Sequence, residues 1–196
     1  MRAAERNNYK RGWFRRRARS LNQHRFVFVD ESAVNTAMTR RYGRAPRGER
    51  AVDTAPRNYG AHTSVIGAMG LRGLVATLTV EGAVDRLCFD AYAEQVLGPR
   101  LRRGDVVVLD NLGAHRASRI EAVAAERGAQ VLWLPPYSPD FSPIEQCWSK
   151  IKAFLRETKA RTNNELNRAL AQAIKLVTKT DIRGWFKHCG YSLARE

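Results

Sequence analysis

Apolar residues along the chain fall into short runs with two different periods. Arg25–Asp30 reads RFVFVD, a β-branched and aromatic run apolar on both faces, which predicts a buried central strand ending at its acid. An Arg-, Gly- and Pro-rich excursion follows from about Ser32 to Ala61. Two further apolar runs, His62–Met69 and Leu74–Val80, are separated by Gly70, Arg72 and Gly73, and so predict a hairpin. Asp105–Asp110 (DVVVLD) and Ala129–Leu134 predict two more strands. Helical spacing marks Asp85–Leu97, stopped by Gly98 and Pro99, and Arg116–Arg127, stopped by Gly128. It returns in Ile144 to about Arg156 and in Asn164–Val177, where Leu166, Leu170, Ile174 and Val177 form one stripe. The first 24 residues have no clean apolar period and are read as a basic N-terminal arm, leaving 25–196 as one folded domain.

The predicted order is three strands with no helix between them, then helix, strand, helix, strand, helix, helix. A doubly wound sheet would place a helix after nearly every strand. The observed order predicts an α/β fold in which a mixed five-stranded sheet of the ribonuclease H type is flanked by helices. In such a sheet the first and fourth strands lie side by side, so their ends bring Asp30 and Asp110 together.

Composition narrows the partners. A formal charge of +15 on 196 residues attracts polyanions, nucleic acid first and an anionic membrane surface second. Residues 1 to 25 hold nine Arg or Lys against the single acid Glu5, and six Arg lie between Arg40 and Arg57. No apolar stretch approaches the roughly 20 residues needed to cross a bilayer, and no signal-peptide pattern opens the chain, so a cytoplasmic protein with no membrane partner is expected. Cys88, Cys147 and Cys189 lack the spacing of a zinc site or a disulfide scaffold and are expected to be reduced thiols.

The candidate chemistry is carried by acids. Breaking a phosphodiester calls for charge stabilisation on the attacking and leaving oxygens, which two magnesium ions can supply, and magnesium takes oxygen ligands. Asp30 and Asp110 close strands, and Glu145 opens a helix just after the fifth strand, so all three can face one cleft. Each has a plain structural alternative. A strand-end Asp serves as a turn residue or cap. Ser142-Pro143-Ile144-Glu145 fits a capping box, in which the Glu145 carboxylate would fold back onto the Ser142 amide. Glu31 competes with Asp30, but neighbouring strand residues point to opposite faces, so only one of them enters the cleft.

Three segments, FVFVDES (Phe26–Ser32), VVVLDNLGAH (Val106–His115) and LPPYSPDFSPIEQCWSKIK (Leu134–Lys152), resemble the catalytic blocks of the mariner superfamily of DDE transposases, most of all its bacterial insertion-sequence branch. Thirty-four residues separate Asp110 from Glu145, the interval of that superfamily. The resemblance implies that Asp30, Asp110 and Glu145 are catalytic metal ligands for two Mg2+ ions, with Mn2+ able to substitute. It also implies cleavage of double-stranded DNA at transposon ends, then attack of the freed 3′-hydroxyl on target DNA, typically at TA, by two copies paired on DNA and associated with the nucleoid. Lys152, two helical turns beyond Glu145, and His115, five residues after Asp110, are candidate DNA contacts. So are Arg44 and Arg47 in the excursion, where relatives place a loop that clamps DNA or a partner subunit. Full-length relatives carry helix-turn-helix domains before the catalytic domain. With fewer than 30 residues ahead of the first strand, a fragment, a split-gene product or a decayed copy is also expected. The competing functions are a catalytically idle DNA-binding remnant and another ribonuclease H-like nuclease.

Overall fold

The computed structural model describes residues 5–40, 42–111 and 119–193. Five strands form one sheet in the order β3-β2-β1-β4-β5. They are β1 (Phe26–Val34), β2 (Thr63–Gly70), β3 (Gly73–Glu81), β4 (Val106–Leu109) and β5 (Gln130–Trp133). β1 pairs antiparallel with β2 and parallel with β4, and β4 pairs parallel with β5, giving the mixed sheet that the element order predicts.

β1 and β4 are the central pair because their residues are apolar on both sides. Phe26, Phe28, Val106 and Val108 enter the core on one face, whereas Val27, Val29, Val107 and Leu109 enter a second core on the other. Helix α2 (Arg86–Ala91), continuing as a π turn over Tyr92–Leu97, and α3 (Ile120–Glu126) cover that second face. Asp85 caps α2, its carboxylate accepting from the Cys88 amide. Gly128, at φ +67, ends the α3 segment as expected; the first residues of the helix read over 116–127 lie outside the described residues.

The first face carries α4 (Ile144–Thr158), α5 (Asn163–Lys175) and α6 (Lys179–His188). Ile144, Cys147, Trp148, Ile151 and Leu155 form the buried stripe of α4. Both α5 and α6 start with capping boxes, Thr162 with Glu165 and Thr178 with Asp181. α6 brings Phe186 against Phe28 at 5.3 Å, and Tyr191 packs edge-on to Phe26 at 5.6 Å. Cys147 and Cys189 are buried here, and Cys88 is half-buried on the other face.

The basic stretch before β1 holds a helix, α1 (Asn8–Arg19), docked on this same core. Phe14 and Ala18 are buried, and Phe14 stacks on Phe141 at 5.2 Å. Arg11 is only 2% exposed; it donates to Ser138 Oγ (2.6 Å) and to both carboxylate oxygens of Asp140 (2.9 and 2.5 Å), with its guanidinium 4.0 Å from the Phe141 ring centre. Arg44 and Arg47 are exposed in the connection from β1 to β2, which is anchored where Arg161 donates to the carbonyls of Thr36, Met38 and Thr54. No helix among the described residues is long and apolar enough to cross a membrane.

Candidate active site

The sheet register brings the first two acids together. Phe26 pairs with Val106 and Phe28 with Val108 in the parallel β1–β4 ladder, and continuing this register by two residues sets Asp30 level with Asp110. Both then lie on the face that α4 covers, at a strand separation of about 5 Å. Glu31 follows the alternation to the opposite face, where its charge acts on Cys88 of α2. Asp30 is the acid that enters the cleft.

The third acid arrives on α4, and its placement turns on the proline-rich loop. Tyr137 takes a left-handed φ of 51°, Ser138 donates to the Pro136 carbonyl, and Arg11 grips Ser138 and Asp140. The Tyr191 hydroxyl donates to the Phe141 carbonyl at 2.6 Å. Within this turn the Ser142 amide donates to the Pro139 carbonyl at 2.9 Å, and α4 begins without a side-chain cap. The capping box read from Ser142 and Glu145 therefore does not form. Its amide already has a partner, which leaves the Glu145 carboxylate for the cleft.

Asp30, Asp110 and Glu145 line one cleft of about 410 Å³, together with Asn111, Tyr137, Ser138 and Ser142. Their charges act on one another. Burial pushes the Asp30 carboxyl up to about 7, the Glu145 and Asp110 carboxylates add to the rise, and the Trp148 indole N–H opposes it. Glu145 is raised by burial, with Lys152 pulling it down and Asp110 pushing it up. The Lys152 ammonium is near enough to act on the Glu145 charge, and it lines a neighbouring pocket with Val34 and Arg156. His115 lies outside the described residues.

Two residues of this site carry no signal in the sequence pattern. Trp148, one helical turn after Glu145 and 4% exposed, donates from Nε1 to Asp30 Oδ2 at 3.0 Å. Gly67, paired with Asp30 across the β1–β2 ladder, makes room for that indole: a Cβ there would stand 2.6 Å from Trp148 Cη2. Asp30 is thereby oriented from a helix packed across a side-chain gap in β2.

The donor set fits a hard divalent cation: carboxylates from three elements, with Asp30 and Glu145 raised toward protonation, which a cation would reverse. Among the described residues no three His, Cys, Asp or Glu side chains are drawn together tightly enough to hold a metal ion as they stand.

β1 runs on to Val34, past the acid expected to close it, so the acids sit midway along β1, just beyond β4 and at the start of α4; a mixed sheet with acids so placed defines the ribonuclease H-like class of folds. Residues 25–167 match the family model described as DDE superfamily endonuclease, and the chain belongs to that family. Its fold is that of the Mos1 mariner transposase catalytic domain. Superposition on a pre-cleavage Mos1 transpososome gives a TM-score of 0.75 at 18% identity, over 94% of this chain and 58% of the Mos1 chain. The Mos1 paired-end complex with the left transposon end gives 0.76 at 19% identity, with 94% and 58% covered. The isolated Mos1 catalytic domain gives 0.63 at 16% identity, covering 93% of this chain and 85% of that one. The chain thus spans somewhat over half the length of the full Mos1 chains. No curated protein sequence matches it significantly.

Proposed function

We propose that this chain is a metal-dependent transposase catalytic domain that cleaves DNA strands and transfers them by 3′-hydroxyl attack. The observation that carries the reading is the shared cleft: Asp30, Asp110 and Glu145 line it from three separate elements, and burial and the charges there raise the proton affinity of Asp30 and Glu145. Those three side chains would hold Mg2+, two ions in the proposed working site, with Mn2+ as a substitute. The Mos1 paired-end complexes contain Mn or Mg in an equivalent fold. Bound there, divalent cations supply charge stabilisation for the attacking and leaving oxygens of an in-line displacement.

The chain's own groups complete the site. Trp148 holds the Asp30 carboxylate in one orientation through its indole N–H. The rigid proline loop, clamped by Arg11, fixes where α4 begins and so where Glu145 enters. Lys152 offers an ammonium to a DNA phosphate beside the acids, and the exposed Arg44 and Arg47 offer guanidinium groups to DNA or to a second copy. Transposon ends and a TA target, mobilisation of a bacterial insertion sequence, and pairing of two copies on DNA belong to this same proposal.

Nicking of supercoiled plasmid with Mg2+ or Mn2+ tests it, against Asp110→Ala. Cleavage that the variant loses, by roughly a thousandfold or more, supports the reading. Equal traces for the two proteins would overturn it and leave a DNA-binding remnant.

A further inference from the structure

A second groove, of about 520 Å³, opens into the catalytic cleft through Asn111, Leu134, Pro135 and Pro136, which line both. Its walls are α1 on one side and the edge strand β5 on the other, contributing Tyr9, Lys10, Trp13, Arg17 and Trp133. We infer that this groove binds a single-stranded DNA segment next to the catalytic cleft, its bases stacked on Tyr9 and Trp13 and its phosphates met by Lys10 and Arg17. The inference rests on the transposase reading and adds a place for the unpaired strand.

Two observations carry it. Tyr9 and Trp13 are four residues apart on α1, hence on one face, and are 78% and 50% exposed. The core does not use them: α1 docks through Phe14, Ala18 and Arg11. Large aromatic rings held in water on a rigid helix are unfavourable for folding alone and suit a flat apolar ligand. Trp133 of β5 turns its ring toward the other face of the sheet, where Nε1 donates to Glu121 of α3 at 2.8 Å.

Charge selects the ligand. α1 carries Lys10, Arg11, Arg15, Arg16, Arg17 and Arg19 and no acid; Arg11 is buried inside the fold, and Arg17 spans the groove to donate to Gln130 at 3.3 Å. Rings flanked by cations match bases joined by phosphates, whereas a neutral apolar peptide would gain nothing from the cations. A paired duplex hides its base faces and could meet only the charges. The size is that of one or two nucleotides, since pockets for such small ligands run from about 300 Å³ upward.

The experiment measures binding of fluorescent oligothymidine and of a duplex of equal length, in EDTA, for the native chain and for the double variant Tyr9→Ala with Trp13→Ala. Stacking on two rings predicts that single-strand affinity falls at least about tenfold while duplex affinity changes less than about threefold. Quenching of tryptophan fluorescence by oligothymidine should shrink in parallel. Binding in EDTA is read without cleavage, so a chain that fails to nick can still pass this test. Unchanged single-strand binding, or an equal loss for duplex, would overturn the inference. So would a native dimer that Trp13→Ala converts to monomer in light scattering, since the groove would then serve self-association.

Discussion

Replacing Asp30 by Asn should stabilise the metal-free protein while removing its activity. In the fold the Asp30 carboxyl is raised from the ordinary 3.8 to about 7, chiefly by burial and by the charge of Glu145. A folded-state value above the unfolded one means that the fold favours the protonated acid. The stability this provides is complete below about pH 4 and is lost as pH rises through about 7. Relative to a neutral side chain, the ionised acid costs about 4 kcal/mol at pH 8 and about 2 kcal/mol at pH 5 by this linkage. Screening in a cleft open to solvent roughly halves both values. Asn keeps the shape and an oxygen for the Trp148 N–H.

Asp30→Asn should therefore gain about 2 kcal/mol at pH 8 and about 1 kcal/mol at pH 5, raising Tm by roughly 4–8 °C and 2–4 °C for a chain of this size. Thermal melts by circular dichroism in EDTA at the two pH values measure it. Millimolar Mg2+ should raise the Tm of the native chain and leave the variant where it was, because a ligand stabilises only what binds it. A variant that is less stable than the native protein at pH 8, or that gains equally at both pH values, would refute the reasoning about the cleft.

Trp148→Phe removes the N–H that orients Asp30, a hydrogen bond to a carboxylate worth about 1.5–3 kcal/mol. The Mg2+ concentration for half-maximal nicking should rise about tenfold, and an unchanged requirement would count against a positioning role. Gly67→Ala puts a methyl group 2.6 Å from Trp148 Cη2 and should destabilise by about 1–3 kcal/mol in urea melts; a shift inside error would contradict the tight contact. Arg11→Met keeps the apolar stem but loses the bonds to Ser138 and Asp140, so urea stability should fall by about 2–3 kcal/mol and nicking should slow as the loop before Glu145 loosens. Native stability and rate in that variant would show the clamp to be idle.

What the sequence makes legible is what is encoded locally. The doubly apolar runs of β1 and β4 identify the central parallel pair, and strand alternation separates Asp30 from Glu31 without any knowledge of neighbours. The two capping boxes are equally local, yet α6 is short and its buried side chains are few, so its apolar pattern is faint. α1 is fainter still. Its contact with the core is made by Phe14, Ala18 and a buried arginine, and in a run of cations nothing marks Arg11 as the one that turns inward. The pattern at Ser142 and Glu145 is ambiguous by itself, and a backbone bond from Ser142 to Pro139 decides it. Trp148, Gly67 and Asp30 come from three elements whose meeting depends on how α4 crosses the sheet, which no local period encodes.

The same architecture explains why the acids can be close neighbours without forming a finished ligand set. Asp30 and Asp110 extend from strands joined by one backbone ladder, so their separation is fixed by the sheet itself. Glu145 belongs to a helix with no such ladder to β1; its position depends on Trp148 seated over Gly67 and on the loop clamped by Arg11, Tyr191 and Phe14. In the proposed working site a divalent cation would offset the like charges that raise Asp30 and Glu145, so loosening this frame should weaken metal binding.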